Sequence, residues 1–69
     1  MLDTIRSILR TRDQSSESDI DDLFANATDD IADGVDPEDV LSDVFGLEPD
    51  YLFDAEFMAA LERGFAQRA

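Results

Sequence analysis

The chain has no cysteine, histidine, lysine or tryptophan, and only three glycines and two prolines among its 69 residues. Without cysteine there is no disulfide framework and no thiolate metal cluster. Without histidine, the commonest neutral metal ligand and the side chain that titrates nearest neutrality are also missing. Zinc fingers, thiol redox chemistry and Ser-His or Cys-His nucleophilic catalysis are thereby excluded, and Ser7, Ser15, Ser16, Ser18 and Ser42 have no lysine or histidine to activate them. No apolar run approaches the roughly 18 residues of a membrane span, and the opening residues lack the charged, apolar, small-residue order of a secretory leader. A cytoplasmic location is the expectation.

Basic charge is equally scarce. Eighteen acids face five arginines, for a net charge of −13. Thirteen of the acids are Asp, a poorer helix former than Glu, so helix propensity did not select this surface. The few bases are unevenly placed. Residues 1–12 carry Arg6, Arg10 and Arg12 against Asp3, whereas residues 13–69 carry Arg63 and Arg68 against seventeen acids. Direct nucleic-acid binding is not expected of a body with so few cations to meet phosphates. Two explanations of the acid surface compete: a halophile-like adaptation to a salty cytoplasm, where screening mutes self-repulsion, or a charge aimed at a basic partner.

The apolar pattern is helical throughout. Leu2, Ile5, Ile8 and Leu9 recur at spacings of three and four, which makes residues 1–12 a basic amphipathic helix flanked by Arg6 and Arg10. Residues 13–18 read as a polar linker whose last member, Ser18, caps the next helix with Asp21 in a shortened capping box. Ile20, Leu23, Phe24, Ala27 and Ile31 form an apolar arc opposite Asp19, Asp22, Asn26, Asp29, Asp30 and Asp33, and Gly34 ends that helix. Asp36 and Pro37 start another as N-cap and first helical residue, with Val40, Leu41, Val44 and Phe45 as its face; Gly46 closes it and Leu47 folds back. After the break at Glu48-Pro49-Asp50, Tyr51 to Phe53 form a turn and Asp54 caps the last helix. Phe57, Met58, Leu61 and Phe65 point inward there, and Ala55, Ala59 and Ala66 make a smooth flank for close approach.

The predicted fold is therefore all-α: a small bundle of three short helices over residues 19–69, preceded by an N-terminal amphipathic helix on a polar linker, either packed against the bundle or free. The predicted core is Ile20, Leu23, Phe24, Ile31, Val40, Leu41, Val44, Phe45, Phe57, Met58, Leu61 and Phe65.

Chemistry is harder to find. Close carboxylate pairs arise by chance on so acidic a surface, and no apolar pocket is apparent that would split their pKa values. Setting Gly34 at the sixth position of a calcium-binding loop puts Asp29 first and Asp33 fifth. Ile31 then falls third, Asp36 eighth and Val40 twelfth, which is no such loop. No catalytic residue, cofactor or metal site is expected, and the chain reads as a non-enzyme. Asp21-Asp22-Leu23-Phe24, Asp43 to Leu47 and Asp50-Tyr51-Leu52-Phe53 mix acids with bulky apolar residues, as do segments that fold into a partner's groove, but their helical spacing assigns them to the core.

The functional expectation is a small acidic adaptor or regulatory protein that binds another protein, with self-association into a homodimer a second possibility. Its expected handles are Leu2, Ile5, Arg6, Ile8, Leu9 and Arg10 on the first helix and Asp19, Asp22, Asp29, Asp30 and Asp33 on the second. The alternative is an inhibitor that mimics nucleic acid, using the acid face of the second helix to occupy a basic surface.

Overall fold

The computed structural model describes residues 4–68, which fold as an all-α globule of four helices without a strand among them. They are α1 (Ile5–Arg12), α2 (Glu17–Ala32), α3 (Pro37–Val40), continued by a π-helical turn Leu41–Phe45, and α4 (Ala55–Gln67), which a 3-10 turn Pro49–Phe53 precedes. The radius of gyration is 11.3 Å, close to the value of about 11 Å for a single packed body of this length. The first helix is accordingly part of that body. Ile5 and Leu9 are fully buried, in one cluster with Ile20, Phe24, Ala27, Ile31, Val40, Leu41, Phe45, Phe57 and Ala60.

Caps set most of the boundaries. Thr4 Oγ1 accepts from the Ser7 N–H at 3.1 Å to start α1. The second helix begins two residues earlier than the spacing predicts: Ser16, not Ser18, is the N-cap, its Oγ accepting from the Asp19 N–H at 3.1 Å. Both serines have an Asp three residues on. The earlier start places Glu17 in the first turn, where a carboxylate favours the helix dipole and meets α1's arginines. The polar connection correspondingly shortens. Gly34 ends α2 at φ 98° in a Schellman arrangement, with the Val35 N–H donating to Asp30 O and the Gly34 N–H to Ile31 O, both at 3.0 Å. Asp36 and Pro37 start α3 as expected, Gly46 closes the π turn at φ 64°, and the Leu47 N–H folds back onto Leu41 O at 3.0 Å.

The main seam joins α2 to α4, and small residues make it. Ala27, Thr28, Ala60 and Gly64 are all buried, and a methyl group placed on Gly64 would lie 2.5 Å from Ile31 Cβ and 2.9 Å from Thr28 O. Close approach therefore runs through Ala60 and Gly64, not through Ala55, Ala59 and Ala66; Ala55 and Ala66 are exposed. Two members of the predicted core also move out: Met58 and Phe65 are each nearly half exposed. Bulky side chains at those positions would hold the two helices apart, whereas the stripe of Phe57, Ala60 and Gly64 lets them touch. Leu23, Val44 and Leu61 pack on the core without being fully enclosed. Phe45 bridges the aromatic centre, its ring centroid 5.0 Å from Phe24 and 6.0 Å from Phe57 in edge-on contact.

Candidate functional site: an acid-rimmed apolar groove

Four of the five arginines bond within the fold. Arg6 reaches both neighbouring helices: Nε donates to Glu56 Oε1 at 3.0 Å and Nη2 to Glu56 Oε2, while Nη1 donates to Glu17 Oε2 at 2.5 Å and Nη2 to Asp21 Oδ1 at 2.7 Å. Its guanidinium also lies 5.8 Å from the centre of the Phe24 ring. These bonds, led by the one to Glu56, raise the Arg6 pKa further, so its charge is permanent; the bond from Arg6 in turn holds Glu17 below the ordinary carboxylate range. Arg10 pairs with the other oxygen of Glu17 at 2.8 Å.

Two arginines cap helix ends far away in sequence. Arg12 donates to Phe45 O at 2.8 Å and Gly46 O at 3.3 Å, while its paired Asp13 is held below its usual pKa by the same guanidinium. Arg68 donates to Ile31 O at 2.6 Å and lies 4.6 Å over the Phe65 ring, covering part of that phenylalanine. Cationic donors at carbonyl ends satisfy the last acceptors of a helix and the negative pole of its dipole.

The fold thus disposes of the expected handles as follows. Ile5 and Leu9 lie inside the core, Ile8 is half-buried, and Leu2 lies outside the described residues. Arg6 and Arg10 are committed to α2 and α4. Ile5, Leu9, Arg6 and Arg10, expected to meet another protein, are thus directed at this chain's own body. On α2, Asp19, Asp22, Asp29 and Asp33 are exposed and Asp30 is half-buried.

A surface that the spacing did not single out lies elsewhere. The start of α3, the end of the 3-10 turn and the first half of α4 enclose an open groove of about 570 Å³, floored by Pro37, Leu52, Phe53, Met58 and Leu61 and rimmed by Asp36, Glu38 and Asp39. Phe53 is 84% exposed, the most exposed large apolar side chain of the described residues, and Met58 beside it is 43% exposed. Asp54 follows Phe53 directly. Its Oδ2 accepts from the Phe57 N–H at 3.1 Å as the N-cap of α4, and its Oδ1 accepts from the Ile5 N–H at 3.0 Å. One carboxylate thus fixes the starts of two helices, and the residue before it turns outward. The Asp50 to Phe53 segment did carry the acid and aromatic mixture of a docking sequence, but its spacing assigned it to the core, on which Tyr51 and Leu52 do pack while Phe53 does not.

Among the described residues no three carboxylates gather as a metal site, and no helix is long and apolar enough to cross a membrane. No family model matches the chain, and neither a curated protein nor a solved structure is significantly similar to it. The functional reading rests on the residues alone.

Proposed function

We propose that this protein is a small acidic adaptor or regulatory protein that works without catalysis, by binding another protein through the groove between α3 and α4. The observation that supports the reading is Phe53, 84% exposed beside Met58 and Leu61, where no other large apolar side chain of the described residues is more than 46% exposed. Covering a phenylalanine contributes about 1.5–3 kcal/mol. A chain this small, with a core that supplies only about 3–5 kcal/mol, forgoes a large contribution by leaving it in water. Exposed aromatic and methionine side chains ringed by polar groups are the usual composition of a contact surface. The acid shell keeps such a surface from driving self-association by giving every copy the same large negative charge.

The test places a photo-crosslinking phenylalanine analogue at position 53 and, in a second version, at Asp22 on the acid face of α2, in cells that express the chain. A discrete protein adduct from position 53, and none from position 22, is the expected result. Adducts formed from position 22 alone, to a nucleic-acid-binding protein and lost when Asp19, Asp22 and Asp29 are changed to Asn, would replace this reading with nucleic-acid mimicry.

A further inference from the structure

We infer that the groove seats a basic amphipathic helical segment of the partner, an inference that rests on the protein-binding reading above and specifies its chemistry. The first argument is complementarity. The floor of Leu52, Phe53, Met58 and Leu61 is apolar, the rim of Asp36, Glu38 and Asp39 is anionic, and none of the ion pairs among the described residues involves those three acids. An occupant with apolar side chains on one face and Arg or Lys on its flanks matches both features at once.

The second argument is that the body already accepts one segment of this class from its own chain. α1 carries three arginines and no acid over Ile5–Arg12. It buries Ile5 and Leu9, places Arg6 and Arg10 on the carboxylates of α2 and α4, and sets Arg12 on the carbonyls that end the π turn. The groove likewise sets apolar side chains, Leu52, Phe53, Met58 and Leu61, beside carboxylates, Asp36, Glu38 and Asp39. A second copy of this chain is the poorer occupant, because it would bring another net charge of −13 against the same rim. A nucleic acid or an anionic lipid surface is repelled for the same reason.

Three synthetic peptides of about 14 residues, the length of an average helix, test this against the full chain by fluorescence anisotropy, with amide NMR to locate the contact. The first has Leu at i, i+3, i+4 and i+7 with Arg and Lys on its polar face. The second keeps the leucines and replaces the bases by Glu, and the third scrambles the first. The basic amphipathic peptide should bind at least tenfold more tightly than either control, shift the amides of Leu52, Phe53, Met58 and Leu61, and weaken as salt rises. The Phe53→Ser variant should lose tenfold or more of that affinity. The triple variant Asp36→Asn, Glu38→Gln, Asp39→Asn should bring the basic and Glu-bearing peptides to within about threefold of each other.

Equal binding of both amphipathic peptides in the groove, unaffected by the triple variant, overturns the inference about charge and leaves the groove reading intact. Binding of the scrambled peptide as tightly as the first, with shifts spread along α2, overturns it as unspecific attraction. No shift in the groove from any peptide, together with no adduct from position 53, overturns the underlying reading as well. A concentration-dependent dimer abolished by Phe53→Ser makes a second copy the occupant instead.

Discussion

The seat of α1 and the groove between α3 and α4 are two places on one small body where an apolar floor meets carboxylates, and they differ in what covers them. At the first, a basic helix from the same chain fills the floor with Ile5 and Leu9 and ties down Glu17, Asp21 and Glu56 through Arg6. At the second, Phe53 and Met58 remain in water and Asp36, Glu38 and Asp39 stand beside them. The lesson is that an acidic shell and an apolar surface work together. The carboxylates repel copies of the chain and other anions, and they admit a basic helix whose apolar side the floor can enclose. The covered site is therefore a structural site and the open one a candidate interface, although their chemistry is similar.

The sharpest way to break this comparison is to weaken the covered seat. Leu9→Ala should cost about 2–4 kcal/mol, a large share of what so small a core provides, and urea unfolding followed by circular dichroism should show most of the cooperative transition lost. A cost near zero would mean that α1 is dispensable and the two sites are not comparable. Next comes the seam that brings α2 and α4 together as joint partners of Arg6. Gly64→Ala should destabilise by about 1–3 kcal/mol despite the better helix propensity of alanine, because the added methyl meets Ile31 and the Thr28 carbonyl. A rise in stability would show that the helices have room to spare.

Arg6→Met tests the ionic half of the seat, with an expected loss of about 1–2 kcal/mol. Its pH dependence has a definite sign. The carboxyl of Glu17 is held down in the folded state, chiefly by the bond from Arg6, so its contribution is present at neutral pH and is lost as pH falls below the ordinary value of 4.5 and through the lowered one. The stability gap between the parent chain and Arg6→Met should therefore shrink on acidification over that range, as measured by paired urea titrations. A gap that widens would remove the carboxylates from the account. The smallest effect belongs to the open site. Phe53→Ser should change stability by no more than about 0.5 kcal/mol, while abolishing the position 53 contacts; a loss comparable to that of Leu9→Ala would make Phe53 a core residue and close the comparison.

Much of the helical plan was legible because its signals are local. Gly34 and Gly46 at helix ends and Asp54 before an apolar run each act within a few residues and the fold uses them as read, whereas Asp36 before Pro37 marks the start of α3 by position, without a side-chain capping bond. The choice between Ser16 and Ser18 was not legible, since both have an Asp three residues on; in the fold Ser16 caps α2 and Glu17 beside it pairs with Arg6 and Arg10. The groove was only half legible. Leu52 and Phe53 are adjacent in sequence, but Met58, Leu61 and the acids at the start of α3 join them only when three elements meet.

The last helix separates the two kinds of knowledge most clearly. By itself the sequence determined that residues near 55–67 are helical, because the cap and the 3.6-residue period are properties of the local chain. Its pattern set Phe57, Met58, Leu61 and Phe65 inward with Ala55, Ala59 and Ala66 as a smooth flank; the stripe through Phe57, Ala60 and Gly64 was not singled out. Only the tertiary structure decided which stripe faces α2, because contact between two backbones requires small residues where they meet. That choice turned Met58 toward the solvent beside Phe53 and so created the groove. The first helix follows the same rule: its period was written in residues 5–12, but its place in the core depended on carboxylates that Glu17, Asp21 and Glu56 bring together only in the folded chain.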